Sequence, residues 1–246
     1  MKFIFILSLS IVCVTSVVAQ NSGVITYEQV VKINTDRFPE EVRNMIPPER
    51  KSSNQLIFNE KEAIYKSIKN QEDINQEVTA GNDRMRFRMR GANDNEYYTN
   101  LSDNSSINKM EFIGRDFLVE GGENQLEWKV SSEMKMVGKY QAIKATSMRD
   151  TIPVIAWFTP QIPVSLGPGN YRGLPGMILH LDVNDGQETI TATNLDIRAL
   201  TDEETIVVPD KGKRVTREEF EKIRAEKMEE MREMGGGRGN RVIIRN

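Results

Sequence analysis

The chain has 246 residues, of which 33 are basic and 36 acidic, and its formal net charge is -3. Neither sign dominates, so the composition excludes the strongly basic footprint of a nucleic-acid-binding protein. The length suits one core of ordinary size, or at most two small ones.

Residues 1–19 have the pattern of a cleavable secretory signal peptide. Lys2 precedes a mostly apolar stretch, and Val17 and Ala19 occupy the positions that a signal peptidase reads, so we expect cleavage after Ala19. Cys13, the only cysteine, lies inside this segment behind Val12, which is not the small residue that a lipoprotein signal requires. We therefore expect an exported mature chain without a thiol and without a transmembrane span.

Short β-prone runs, separated mostly by polar, Asn- and Gly-rich pieces, fill the chain from the mature N-terminus to about residue 200. Such spacing predicts a meander of antiparallel hairpins. The runs lie at 23–33, 56–58, 63–68, 85–89, 96–101, 107–112, 116–119, 128–130, 140–146, 154–159, 177–183 and 188–197. Apolar residues at helical spacing predict a short helix over 38–46, and the polar stretch 69–83 is expected to be a loop.

One predicted strand alternates basic and apolar residues. Arginines at 84, 86, 88 and 90 flank Met85, Phe87 and Met89. Period-two alternation predicts one basic and one apolar face. A solvated outer face is favoured over an anion-binding platform, because antiparallel sheets commonly expose one face to water.

The C-terminal part predicts an amphipathic helix over 211–234. Thr216 and Glu219 form a capping box at its start, and Gly235 is expected to end it. The apolar face consists of Phe220, Ile223, Met228, Met231 and Met234. Residues 235–246 are expected to be a flexible Gly/Arg tail. The complete prediction is mainly β: a single curved antiparallel sheet or half-open barrel over 20–210, with a short N-terminal helix and this C-terminal helix.

One passage carries a family resemblance. The hexapeptide 173–178, GLPGMI, resembles the signature of the GLPGLI family of exported Bacteroidetes proteins and departs from it only at Met177. The upstream segments 138–146, 156–163 and 167–168 resemble the same family in the same order. The resemblance implies a location in the periplasm or at the outer-membrane surface, but no activity, because the family is named for a sequence.

The same passage contains the candidate ligand-binding residues, which are Trp157, Phe158, Leu174 and Met177. A structural role is favoured for them, since Gly and Pro usually mark turns and Leu174 is placed to plug the turn into the core. His180, the only histidine, lies two residues from Asp182 on the same face of a strand. No nucleophile motif accompanies that pair, so a structural histidine is favoured over a catalytic one.

Methionine clusters suggest one metal hypothesis. Thioethers select Cu(I), and Met228, Met231 and Met234 are spaced three apart. Filling of a core is the favoured role for them. No cofactor is expected.

These observations leave several functions open. The first hypothesis is a non-enzymatic envelope protein that binds an apolar small molecule, lipid or peptide. The second is an interaction protein that docks an envelope partner through its C-terminal helix and tail. A hydrolase and a methionine-based copper handler are weaker alternatives, and no nucleic-acid partner is expected.

Overall fold

The computed structural model describes residues 21–37, 40–43, 46–68, 74–80, 83–89, 94–121 and 126–235. The predicted signal peptide and nearly all of the Gly/Arg tail lie outside these residues. Fourteen strands are described. They are β1 (Gly23–Lys32), β2 (Glu49–Phe58), β3 (Glu62–Ser67), β4 (Ile74–Ala80), β5 (Asp83–Met89), β6 (Glu96–Asn100), β7 (Ser106–Phe112), β8 (Arg115–Glu120), β9 (Lys129–Val137), β10 (Tyr140–Arg149), β11 (Ile152–Thr159), β12 (Met177–Val183), β13 (Glu188–Asp196) and β14 (Lys213–Thr216).

Twelve of these strands form one open, curved sheet in the order β14-β8-β7-β6-β3-β2-β1-β13-β12-β11-β10-β9. Neighbouring strands pair antiparallel, except β14, which runs parallel to β8. The β1–β13 ladder joins an N-terminal strand to a C-terminal one; for example, it pairs Ile25 with Leu195. The predicted β-rich, curved antiparallel sheet is confirmed.

The remaining two strands correct the sequence prediction for 69–83. β4 lies inside the expected loop and pairs antiparallel with β5 from Ile74↔Met89 to Ala80↔Asp83. Two residues, Gly and Asn, separate the strands, and this dipeptide favours a hairpin turn although the stretch around it is polar. The alternating segment is a strand, as predicted, although its last arginine, Arg90, lies outside the described residues.

The helix predicted over 38–46 is not shown. The described residues there contain a 3-10 turn at Thr35–Arg37 and a single helical turn, α1 (Glu40–Arg43). Residues 38, 39, 44 and 45 lie outside the described part of the chain.

The sheet has two faces, because residues opposite each other on paired strands point the same way. We call the face that carries Ile25, Leu56 and Tyr65 the inner face. The outer face carries their neighbours Val24, Ile57 and Ile64. The larger hydrophobic core lies on the inner face.

Residues 160–176, which we call the plug, fill the inner face beside β10–β13. Ile162, Val164, Leu166 and Leu174 are all buried in the larger core. Backbone bonds hold the plug to β12, with Met177 N donating to Ile162 O at 3.0 Å and Ile178 N donating to Leu166 O at 2.8 Å. The expectation that Leu174 plugs the turn into the core is confirmed.

Residues 197–212, which we call the strap, cross the outer face. Leu200 and Ile206 pack there against the buried cluster Val24, Ile57 and Ile64. The strap then leads into β14, so it connects the middle of the sheet to one edge.

The second helix, α2 (Arg217–Gly235), begins after β14. The predicted capping box is present: Glu219 N donates to Thr216 Oγ1 at 3.2 Å, and Thr216 N donates to Glu219 Oε2 at 2.9 Å. Phe220 is buried, and its ring centroid lies 6.2 Å from that of Phe112 and 5.4 Å from that of Phe117. No helix in the described part of the chain is both long and apolar enough to cross a membrane.

Candidate functional site

The ligand-binding residues proposed from the sequence lie in the inner-face core or pack against it. Phe158, Leu174 and Met177 are at most 2% exposed and belong to the inner-face core. Trp157, the next residue along β11 from Phe158, is only partly buried, and the Lys135 Nζ lies 4.3 Å from its ring centroid. Three of the four side chains are therefore core residues, and the fourth lies in a cation–π contact.

His180 occupies a structural position in β12. Its Nδ1 lies 2.7 Å from Thr191 Oγ1 on β13, directly across the ladder. Burial, helped by the positive charge of Lys135 and opposed by Asp182, lowers the pKa of His180 to about 4, so the ring is neutral at physiological pH. Asp182 accepts a hydrogen bond from Gly186 N at 2.6 Å and thereby closes the β12–β13 turn.

The methionines proposed as a copper site lie on the distal part of α2. Met228 is 53% and Met231 38% exposed, and nothing is described for the side chain of Met234. The core-filling role favoured from the sequence does not hold for the two described methionines. Of the described side chains in the apolar stripe, Phe220 and Ile223 pack against the sheet, and residues 224–233 are exposed. Copper binding stays a prediction.

A polar cluster occupies the inner face of the middle strands of the sheet. We call it the inner-face polar cluster; its members are Gln29, Arg50, Ser52, Asn54, Tyr65, Ser67 and Glu188. Strand register places these residues on one face, because they follow the period-two positions of β1, β2, β3 and β13 that continue the apolar core. On β2, for example, the inner positions change from Phe58 and Leu56 to the polar Asn54 and Ser52, the latter two at most 7% exposed.

Gln29 is the centre of the cluster's hydrogen bonds. Its Nε2 donates to Glu188 Oε1 at 2.5 Å, while its Oε1 accepts from Ser52 Oγ at 3.2 Å and from Asn54 Nδ2 at 3.3 Å. Gln29 therefore connects Glu188 on β13 with β2. Bonds of this kind hold buried polar side chains in one arrangement.

Two hydroxyls of the cluster have no such bond. The Tyr65 hydroxyl and Ser67 Oγ are buried without a hydrogen-bond partner among the described residues. Tyr65 is 6% exposed, and its ring packs against Tyr27 and Tyr97 at centroid distances of 6.0 and 6.1 Å. Since leaving a buried polar group unpaired costs about 1–3 kcal/mol, these hydroxyls mark a place where another molecule can contribute.

The electrostatics link Glu188 both to Tyr65 and to Arg50. Burial, followed by Tyr27, Tyr97 and Glu188, raises the pKa of Tyr65 well above its ordinary value, so the phenol stays protonated. Burial lowers the pKa of Arg50, and the carboxylate of Glu188 opposes that shift. Glu188 thus acts electrostatically on both Tyr65 and Arg50.

Sequence reasoning missed this cluster. Its members are scattered over four strands, and only the pairing of β1 with β2 and β13, and of β2 with β3, brings them together. The sequence did contain one signal: positions 50, 52 and 54 are polar, whereas positions 56 and 58, which continue the same alternation, are apolar. No group of three potential metal-ligating His, Cys, Asp or Glu side chains occurs among the described residues.

A family model matches a short part of the chain. Residues 146–180, from the end of β10 through the plug to β12, match the family described as "Protein of unknown function (Porph_ging)". This match does not carry the GLPGLI name predicted from the hexapeptide. No curated protein matches the chain.

PNGF-II, a protein of solved structure, shows a likeness of fold. PNGF-II, in its P21 and C2 crystal forms, aligns at 14% and 15% identity with TM-scores of 0.52 and 0.50. Each alignment covers 82% of this chain but only 32% of PNGF-II, so the chain spans about a third of that protein's length. An uncharacterized conserved protein from Thermus thermophilus aligns at 8% identity with a TM-score of 0.35, over 78% of this chain and 90% of that one.

Proposed function

We propose that this protein is an exported, non-enzymatic binding protein of the cell envelope, and that it holds a small amphipathic molecule at the inner-face polar cluster. The observation that carries the proposal is the buried Tyr65 hydroxyl without a hydrogen-bond partner among the described residues. The signal-peptide pattern of residues 1–19 supports export, and the GLPGMI hexapeptide supports membership of the GLPGLI family.

The filled core narrows the type of ligand. The plug places Ile162, Leu166 and Leu174 against the inner face, so a purely apolar ligand would have to displace side chains that already bury that surface. The polar cluster borders this core through Leu56 and Tyr27. A ligand with an apolar body and a hydrogen-bonding end fits such a border, because it can satisfy the hydroxyls while keeping apolar contacts.

The substitution Tyr65→Phe tests the proposal. It removes only the hydroxyl, so ligand affinity should fall about tenfold, the equivalent of one neutral hydrogen bond. The ligand-free variant should be as stable as the wild type or slightly more stable, because a buried unpaired group has been removed. Native mass spectrometry of protein purified from its own envelope fraction measures occupancy, and chemical denaturation measures stability.

Tyr98→Phe is the matched control. The Tyr98 hydroxyl donates to Glu62 at 2.9 Å, and Tyr98 lies opposite Ile64 on the outer face. This variant should keep full occupancy and lose about 1 kcal/mol of stability. A wild-type protein that carries no ligand, or a Tyr65→Phe variant with undiminished occupancy, would count against the proposal.

A second candidate function is docking of an envelope partner through α2. Beyond Ile223 the described helix is exposed almost all round, and its side chains pair chiefly with each other, as in Lys227–Glu230 at 2.6 Å and Arg232–Glu229 at 2.9 Å. An apolar stripe that is left in water beyond its own core favours a protein partner.

Replacing Met228 and Met231 by glutamate tests this second function. Capture of a partner from envelope extract should be lost, since the charges would have to be buried in the interface. Met134 and Met136 on β9, which are 57% and 62% exposed, give a matched control pair for the same substitution. Equal capture by both double variants would argue against docking through the helix.

A further inference from the structure

We propose that the ligand's polar end is an uncharged group that both donates and accepts hydrogen bonds, namely a hydroxyl or a carboxamide. This inference rests on the proposed function and names the chemical class of the ligand for the same site. It follows from the charge balance of the inner-face polar cluster and from the chemistry of the unpaired atoms in that cluster and farther along the same row.

The cluster's own charges already balance. Its charged side chains are one guanidinium, Arg50, and one carboxylate, Glu188, and Glu188 is further satisfied by the amide of Gln29 at 2.5 Å. A ligand carboxylate or ammonium would add an extra charge beside buried groups, and an uncompensated charge in such surroundings is costly. A neutral polar end avoids that cost.

Pairing all of the unpaired atoms requires a hydrogen-bond donor on the ligand, and the two hydroxyls can also use an acceptor. Tyr65 and Ser67 offer hydroxyls, which can donate as well as accept. Asn108 lies in the same inner-face row two strands from Tyr65, because Tyr65 pairs with Tyr97 and Tyr97 pairs with Asn108. The Asn108 Oδ1 is buried without a hydrogen-bond partner among the described residues, and it can only accept. A hydroxyl or carboxamide on the ligand can both donate and accept here, whereas a carboxylate cannot donate to an amide oxygen. An ammonium could donate to each of these atoms, so it is its charge that disfavours it.

The apolar neighbours of Tyr65 favour a ligand whose polar end is attached to an apolar body. Tyr65 packs between the rings of Tyr27 and Tyr97, and the Tyr27 hydroxyl is already used, because it donates to Ile178 O at 2.7 Å. The inner position beside Tyr65 on β2 is the buried Leu56. Ordered water would satisfy the hydroxyls equally well but would gain nothing from these apolar neighbours.

Three probes of equal chain length separate these possibilities: n-octanol, octanoate and octylamine. Titration calorimetry of the full mature chain at neutral pH should show binding of n-octanol, with each charged probe at least about tenfold weaker. The Tyr65→Phe variant should weaken n-octanol about tenfold, and Tyr98→Phe should leave it unchanged.

The failures are distinguishable. A charged probe that binds as tightly as n-octanol overturns the inferred class and leaves the proposed function standing. Binding of n-octanol that Tyr65→Phe does not weaken places the alcohol elsewhere and also overturns the inference. No heat with any probe, together with a wild-type protein that carries no ligand in native mass spectrometry, overturns both proposals and assigns the hydroxyls to water alone.

Discussion

Gly176 shows how a single residue holds the plug in place. Its φ is 149°, a conformation that side chains with a Cβ rarely adopt, and an added Cβ would lie 2.2 Å from Thr159 O. Thr159 is completely buried at the end of β11, so its backbone has no room to move. Glycine at this position of the GLPGMI hexapeptide is therefore a steric requirement of the fold.

We predict that Gly176→Ala lowers the free energy of unfolding by about 3 kcal/mol or more, because backbone strain and overpacking add. Gly138→Ala is the control. Gly138 also has a positive φ, 57°, but nothing lies within 4 Å of its added Cβ. That variant should lose only about 1 kcal/mol. Chemical denaturation compares the two, and an equal loss in both would contradict the steric explanation.

Single residues were predictable to different degrees. The burial of Leu174 and the cap formed by Thr216 and Glu219 followed from local sequence, and the structure confirms them. Tyr65 could not be predicted, because its burial depends on Leu56 and Tyr97 from strands on either side. Nothing in the sequence around Tyr65 indicates that its hydroxyl has no hydrogen-bond partner among the described residues.

At the scale of elements, Arg198 holds the first turn of the strap through its hydrogen bonds to two carboxylates. Arg198 donates to both carboxylate oxygens of Glu204 at 2.7 Å and to Asp196 at 2.8 Å. The hydrogen bonds from Arg198, followed by the backbone of Thr201, lower the pKa of Glu204 to about 2. The strap's first turn is therefore held by a charged pair at physiological pH.

We predict that this charged contact weakens in acid. Because the pKa of Glu204 is depressed in the folded protein, its stabilisation is complete above the unfolded value near 4.5 and is lost as the pH falls through about 2. Arg198→Gln should return the pKa of Glu204 toward its ordinary value, as measured by NMR titration of the carboxyl carbon. Arg232→Gln, which removes a helix pair with Glu229, should leave Glu204 unchanged. A low pKa that persists in Arg198→Gln would contradict this cause.

The C-terminal helix is anchored at one end only. Phe220 is 3% exposed, whereas Met231 is 38% exposed. We predict that Phe220→Ala costs about 3–4 kcal/mol of stability, since it empties an aromatic contact with Phe117, while Met231→Ala costs less than about 0.5 kcal/mol. Thermal or chemical denaturation of both variants measures the difference. A comparable loss for Met231→Ala would show that the distal helix also packs against the domain.

At the scale of the whole molecule, the β1–β13 ladder joins two halves of the sheet. One half is built from β1–β3, β6–β8 and β14, and the other from β9–β13. We predict that the amides of β1 and β13 exchange with solvent most slowly, because they lie in the middle of the sheet and open only in global unfolding. The edge strands β9 and β14 should exchange fastest among the strands of the large sheet. Hydrogen exchange with mass spectrometry measures both, and equal protection of β9 and β1 would contradict this division.

The sequence by itself determined most of the β-strands, the capped helix and the turn chemistry of the plug, because each depends on residues that are near one another along the chain. It did not reveal β14, whose four residues become a strand only through pairing with β8. The tertiary structure alone decided which polar side chains meet on the inner face. Gln29, Tyr65 and Glu188 are brought together by strand order and sheet curvature, and these depend on pairings between segments up to about 170 residues apart.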